Sequence, residues 1–271
     1  MRIVVDALSV TNLSGRRVLS GHLEQIACAH QQRHQFYVLV HQGNRDLINT
    51  ALPNLTWILC PGLTRYWVGR ALWQLVGFEP LCARHHIDLV LSPTGALCLG
   101  TPRPQIVLAQ NPWCFVPAFH YGPLLKLKAA LQRRAYRQAQ AQAWALFCNS
   151  LFLANLYTRD SGLLRKEPLL PNGVDEAIFA AAATSLNWEE RSLEVLTVSV
   201  MTPHKAIEAV IDALALLHAR GIPATLRLVG PWAQLAYRRR IERRVERLGL
   251  ANVVHLQGHV SDPALHALYA R

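Results

Sequence analysis

Four consecutive residues, Thr202-Pro203-His204-Lys205, concentrate the clearest chemistry of this 271-residue sequence. They follow the strand-like run LEVLTVSVM. They precede a stretch in which Ile207, Val210, Ile211, Leu214 and Leu217 fall on one helical face. A strand-to-helix turn at the carboxyl edge of a sheet offers free backbone amides and the positive end of the helix dipole, and both favour an anion. A lysine there adds a full positive charge, although its sign opposes the dipole, so its placement argues for a ligand rather than for helix stability. The expected ligand group is a diphosphate bound by Lys205, with His204 as a second donor. Thr202 is expected to cap the helix, and Pro203 suits its first position, where no amide donor is needed. A solvated lysine in a first helical turn is the plain alternative.

Other groupings are open to more than one use. An aromatic, proline-rich stretch holds Trp113, Phe115, Phe119, His120 and Tyr121. The helix pattern after it carries Lys126, Lys128, Arg133, Arg134 and Arg137 and no acid. Such a combination can dock on a lipid headgroup layer or a lipid-linked acceptor, line a sugar site with Trp113 and Phe115, or simply pack with a solvated basic face. The run YRRRIERRVERLG has glutamates within a turn of its arginines and an apolar stripe of Ile241, Val245 and Leu248. It reads first as an exposed, salt-laced helix. His30 and His34 could share a helix face, but no third ligand lies nearby, and no metal site is expected.

The elements that must position these residues alternate. Strands are expected at Ile3–Leu8, Phe36–His41, Thr56–Cys60, Asp88–Ser92, Gln105–Asn111, Leu146–Asn149, Glu194–Val200, Ala224–Gly230 and Asn252–Gly258. Helices are expected near 15–32, 67–86, 124–143, 150–161, 205–220, 233–248 and 262–270. This alternation predicts an α/β fold with parallel sheets covered on both faces. The small-residue and polar stretch at 176–192 suggests a junction, dividing the chain into domains 1–178 and 179–271. The second domain reads as the first half of a doubly wound sheet. Its strand 194–200 should be central yet has an open side, which another chain is a candidate to complete.

Composition narrows the partners. Hydrophobic residues make up 51% and charged residues 17%, which excludes a disordered chain. The formal net charge of +11 favours anionic partners without choosing among them. No helix-turn-helix, zinc-finger or RNA-binding signature is present, so nucleic acid is not expected. The six cysteines lack zinc or CxxC spacing and read as buried thiols of a reducing compartment. The amino terminus lacks a signal peptide's apolar core, and the longest uncharged stretch, Pro104–Leu125, is broken by prolines. A cytoplasmic protein, peripheral to the inner face of a membrane, is the expectation.

Four segments, taken in order, carry a resemblance. They are Pro171-Asn172-Gly173-Val174-Asp175, VLTVSVMTPHKAIEAVIDAL, LRLVGP and NVVHLQGHVSDPALHALY. With them the chain resembles the retaining GT-B glycosyltransferases of the family 4 type. The resemblance implies two Rossmann-like domains facing one cleft, the carboxyl-terminal one incomplete here. It also implies a nucleotide-sugar donor as substrate, no cofactor, and a glycan or lipid-linked acceptor of cell-envelope polysaccharide synthesis. It places Lys205, His204 and Thr202 at the donor diphosphate, with Gly15 of the loop Asn12-Leu13-Ser14-Gly15 approaching the same phosphates. Gly230 and Pro231 fall beside the nucleotide, and Gln110 and Asn111 take the catalytic position after the fifth strand.

The departures bear on activity. Ser199-Val200 stand where many members have Gly-Arg, so one positive charge is missing. Gln110-Asn111 stand in place of a His-Asp pair. They can hydrogen-bond a sugar hydroxyl but cannot act as bases near neutral pH. The two spaced glutamates of the family would fall after Arg271. The expected function is therefore retaining hexosyl transfer impaired by truncation, or a non-catalytic carbohydrate-binding or partner subunit derived from such an enzyme. Stabilisation of the leaving diphosphate would come from fixed positive charge.

Overall fold

The computed structural model describes residues 1–46, 52–120, 122–162, 168–173 and 193–269. The expected junction at 176–192, the domain boundary at 178/179, Val174-Asp175 and Tyr121 lie outside these residues. The chain divides into two compact units, Met1–Gly173 and Val174–Arg271.

The first unit is built on a six-stranded parallel sheet. Its strands are β1 (Arg2–Asp6), β2 (Gln35–Val40), β3 (Leu55–Leu59), β4 (Leu89–Ser92), β5 (Gln105–Ala109) and β6 (Ala145–Cys148), in the order β3-β2-β1-β4-β5-β6. The reversal of direction after β3 is the Rossmann pattern. Alternation along β1 separates the two layers. Ile3 and Val5 pack beneath α1 (Leu13–Ala29) with Leu19, Leu23 and Phe36. Val4 packs on the opposite face with Phe78, Cys82 and Val90. That second face continues under α4 (Pro123–Gln142) and α5 (Leu151–Ser161), where Tyr136 stacks on Tyr157 at 5.1 Å and 13°.

The helix expected over 67–86 is interrupted. It runs as α2 (Trp67–Trp73), a π turn over Gln74–Phe78, and α3 (Glu79–Arg84). Pro80 has no N–H to give to the preceding turn, and the wider π turn takes up the break. Both ends of that turn are buried: Phe78 enters the core and Gln74 reaches the Asp6 carboxylate at 2.7 Å. β1 stops at Asp6 rather than Leu8, because the Asp6 carboxylate accepts the Leu8 N–H and turns the chain.

The second unit holds β7 (Glu194–Val198), α6 (Ile207–Ala219), β8 (Thr225–Val229), α7 (Leu235–Arg247), β9 (Val254–Gly258) and α8 (Asp262–Tyr269). Its parallel sheet has the order β7-β8-β9, with a core of Ile207, Ile211, Leu214, Leu228, Tyr237, Ile241 and Val245. Among the described residues β7 pairs only with β8, and Val195 and Val198 remain exposed. The basic helix α7 is laced as expected. Arg238 pairs with Glu242 along the helix, while Arg240 and Arg244 pair with Glu208 and Asp212 of α6. Leu248 is a correction, because it ends the helix exposed instead of extending the apolar stripe.

None of the six cysteines is in a disulfide. Five are buried, whereas Cys28 is exposed on α1, contrary to expectation. Among the described residues no helix is long and apolar enough to cross a membrane, and no group of side chains could hold a metal ion.

Candidate functional site

In the second unit three loops are laced together at the carboxyl edge of the sheet. The Ser199 N–H bonds to Val229 O at 3.0 Å, the Met201 N–H to Pro231 O at 2.9 Å, and the Gly230 N–H to Gly258 O at 2.7 Å. Gly230 has φ +134°, and a Cβ there would lie 1.8 Å from the Ser199 carbonyl oxygen. No other residue fits this approach. The lacing brings Thr202, His204 and Lys205 to the same edge as Gly230 and Pro231.

The turn is not the helix start that the sequence suggests. Pro203–Lys205 form a single 3-10 turn, Ala206 follows in the left-handed region (φ 50°, ψ 44°), and α6 begins only at Ile207. A non-glycine residue held there costs roughly 1–2 kcal/mol, so the bend is imposed by its surroundings. Thr202 therefore does not cap the α-helix. Its hydroxyl donates to Val200 O at 3.3 Å and lies 3.1 Å from a His204 ring nitrogen. The amides expected to be free are partly used as well. Lys205 N–H bonds to Thr202 O and Ala206 N–H to Pro203 O.

A carboxylate already faces the start of α6. Glu208 accepts from the Tyr237 hydroxyl at 2.6 Å and pairs with Arg240, whose guanidinium stands 5.3 Å from the centre of the Tyr237 ring. Burial works against ionisation of Glu208, but the Tyr237 and Arg240 hydrogen bonds hold its carboxyl below the usual range. Burial, then Glu208, push the Tyr237 hydroxyl up to about 12. Burial and the neighbouring Lys205 charge lower the His204 pKa, favouring a neutral imidazole. The Lys205 ammonium is exposed and has no partner among the described residues. This edge can offer one unpaired cation and one neutral imidazole to an anionic ligand.

In the first unit Gln110 and Asn111 follow β5. The Asn111 side chain accepts the Trp113 N–H at 2.9 Å and shapes its own turn. Gln110 lines a small recess with His22, Phe147, Asn149 and Asn172. His22, on α1, was not singled out from the sequence. Nothing in its spacing marks it, and only the packing of α1 against the β5–β6 edge brings it there. Burial lowers its pKa. The aromatic pair divides. Trp113 meets Lys128 at 5.3 Å and His120 at 4.7 Å, whereas Phe115 turns into the core against Tyr136 and Tyr157. Gly15 sits inside the first turn of α1 instead of a loop. Its N–H is taken by the capping Asn12 side chain at 2.6 Å, and a Cβ would crowd that oxygen at 2.8 Å. The basic face of α4 is partly neutralised, since Arg133 and Arg137 both pair with Asp160 of α5.

Residues 180–271 match the family described as Glycosyl transferases group 1. This match spans most of the second unit. No curated protein matches the chain in sequence. Among solved structures the chain is similar to HepE from Anabaena with UDP and glucose bound, with TM-score 0.68 and 18% identity over all of this chain and 72% of HepE. It is also similar to the lipopolysaccharide outer core galactosyltransferase WaaB in its apo form (0.61, 12%, 99% of this chain and 71% of WaaB). A third match is WaaG, a glycosyltransferase involved in lipopolysaccharide biosynthesis (0.64, 14%, 99% and 72%). These likenesses are of fold: both units have the α/β build of the GT-B glycosyltransferases. In the second unit, Lys205, His204, Gly230 and Pro231 all stand on the carboxyl edge, where open α/β sheets bind their ligands.

Proposed function

We propose that the chain transfers a hexosyl group from a nucleoside diphosphate sugar, with retention, to a glycan or lipid-linked acceptor of envelope polysaccharide. We place it in the cytoplasm at the inner face of the membrane. The observation that carries this is the unpaired Lys205 ammonium beside the glycine-tight Gly230-Pro231 loop, within the stretch that matches the group 1 glycosyl transferases. The UDP and glucose held by HepE favour a uridine donor. As the bond from sugar to phosphate lengthens, negative charge gathers on the departing diphosphate, and Lys205 is set to stabilise it, with His204 donating a hydrogen bond. Gly230 and Pro231 border the nucleotide. Gln110 serves as a hydrogen-bonding group toward sugar hydroxyls, with His22 in the same recess. Asn111 acts by shaping the turn. Trp113, backed by Lys128, is the acceptor-side aromatic.

Calorimetric titration with UDP tests the assignment. Lys205→Ala should weaken binding about tenfold, equal to about 1.4 kcal/mol. Equal affinity in the two proteins would remove Lys205 from the site. The open side of β7, with Val195 and Val198 exposed, favours a second reading, a non-catalytic subunit whose sheet a partner chain completes. That reading expects a defined complex and no turnover of UDP-glucose.

A further inference from the structure

The amino edge of the first sheet, opposite to the edge that holds Gln110 and Asn111, carries an open hollow of about 460 Å³. Three neighbouring strands begin there: β1 at Arg2, β2 at Gln35 and β4 at Leu89. Its walls are Arg2, the turn 31–35 that leads into β2, and His86 and Asp88 ahead of β4. Backbone bonds fix these three segments. The Asp88 N–H bonds to Arg2 O at 2.8 Å, the Gln35 N–H to Met1 O at 2.9 Å, and the Arg33 and His34 N–H groups both to His30 O at 3.0 Å. Side chains add to them. Asp88 Oδ2 accepts the Arg2 N–H at 2.7 Å, and the Arg2 guanidinium donates to His85 O at 3.3 Å. The hollow is therefore formed before any ligand enters, and its size is that of small-molecule sites.

One wall is held in a conformation that singles out its side chain. His86 has φ 52°, in the left-handed region. It closes α3 in the pattern typical of helix ends, with its own N–H on Ala83 O at 3.1 Å and the Ile87 N–H on Cys82 O at 2.9 Å. Glycine is the residue this position favours, because it has no Cβ to strain. A histidine gives up that ease and keeps a side chain at the wall. The rest of the lining has a consistent chemistry. Apart from Met1, every lining residue is polar or charged, so an apolar ligand finds no matching surface. Arg2 and Arg33 outnumber the single carboxylate of Asp88, and this excess of positive charge calls for an anionic group. The amides of Gln31 and Gln32 and the second oxygen of Asp88 offer donors and acceptors side by side, which suit neighbouring hydroxyls.

We propose that this hollow binds a monosaccharide bearing an anionic group, its anion on Arg2 and Arg33 and its hydroxyls on Asp88 and the glutamine amides, with His86 as a further hydrogen-bonding group. Phosphorylated and carboxylated sugars share the required chemistry. The site is separate from the candidate groups on the carboxyl edges, where open α/β sheets bind their ligands. The inference goes beyond the proposed function and does not rest on it, because every residue it uses belongs to the first unit and none to the donor edge.

Calorimetric titration of the full chain with glucose-1-phosphate and with glucuronate tests it, set against glucose and inorganic phosphate. At least one anionic sugar should bind. Glucose and inorganic phosphate should each bind at least about tenfold more weakly, because each lacks one half of the match. Arg33→Gln should weaken binding of the anionic sugar about tenfold, the loss of one charge-assisted contact. Arg33 is exposed in its turn, so the melting temperature of this variant should not change. His86→Gly should weaken binding about fivefold. Its melting temperature should hold or rise, because glycine relieves the left-handed strain. A merely structural His86 would give the same melting behaviour with no loss of affinity. Lys205→Ala should leave the sugar titration unaltered, and Arg33→Gln should leave UDP affinity unaltered, so failure of the donor reading and failure of this one are separately visible. The proposal is overturned if neither anionic sugar binds, or if inorganic phosphate binds as tightly as glucose-1-phosphate. It is equally overturned if either first-unit variant binds normally, or if Lys205→Ala abolishes the titration.

Discussion

The two sheets differ in what their strands meet. β4 is paired on both sides by β1 and β5, and all four of its residues are buried. β7 also carries Val195, Leu196 and Val198, yet among the described residues it pairs only with β8, and none of its residues is buried. Burial of a parallel strand is thus a property of its neighbours more than of its own sequence. The consequence is a division of labour. The first unit buries clusters on both faces of its sheet, whereas the second has one cluster beneath α6 and α7 and adds tightly laced loops at the edge where its candidate ligand groups stand.

The comparison is broken most forcefully at Gly230. Gly230→Ala forces a methyl group into the Ser199 carbonyl at 1.8 Å in a conformation alanine rarely adopts. The expected loss exceeds about 4 kcal/mol, among the largest single-residue effects. Hydrogen exchange should show protection lost over 193–258 and kept over the first unit. Protection kept in both would show that the lacing does not hold the second sheet.

A smaller effect is expected at Asp160, whose side chain is 4% exposed between Arg133 and Arg137. Burial raises its pKa, but the Arg137 and Arg133 hydrogen bonds and charges outweigh it and hold the carboxyl below the ordinary range. A pKa lower in the folded state gives stability that is present above about pH 4 and lost as pH falls through the folded value. Urea midpoints of the first unit should fall below pH 4. Asp160→Asn should remove that acid dependence and lose about 1–3 kcal/mol at pH 7. An unchanged acid limb would assign it to other carboxylates.

The smallest effect is expected at the open strand. Val198→Lys should change stability by less than about 0.5 kcal/mol. It should reduce self-association seen by light scattering, because a charge discourages edge pairing. Unaltered scattering would show that β7 is not the associating surface.

Much of the fold could be read from the chain because parallel strands are continuous apolar runs and the crossover helices repeat at helical spacing. The break at Pro80 could not be placed, since a π turn keeps an apolar pattern close to that of an α-helix. The left-handed Ala206 was equally hidden, because such a conformation normally advertises itself through glycine. Thr202 and Pro203 therefore imitated a helix start that lies at Ile207. Around the candidate sites, legibility ended where contacts are long-range. Asp160 neutralises arginines 23 and 27 residues away, and Arg70 bonds to Leu8 across 62. Phe115 and Trp113 are alike in sequence, and only the tyrosine pair beneath them decides which turns inward.

The carboxylate of Glu208 gives the opening turn of α6 a resident anion. A phosphate arriving over the opening turn of α6 must share Arg240 and Tyr237 with it or drive it aside. Occupancy there is an exchange of one anion for another. On the donor reading proposed above, a departing nucleotide would meet at that turn a carboxylate that never leaves the protein.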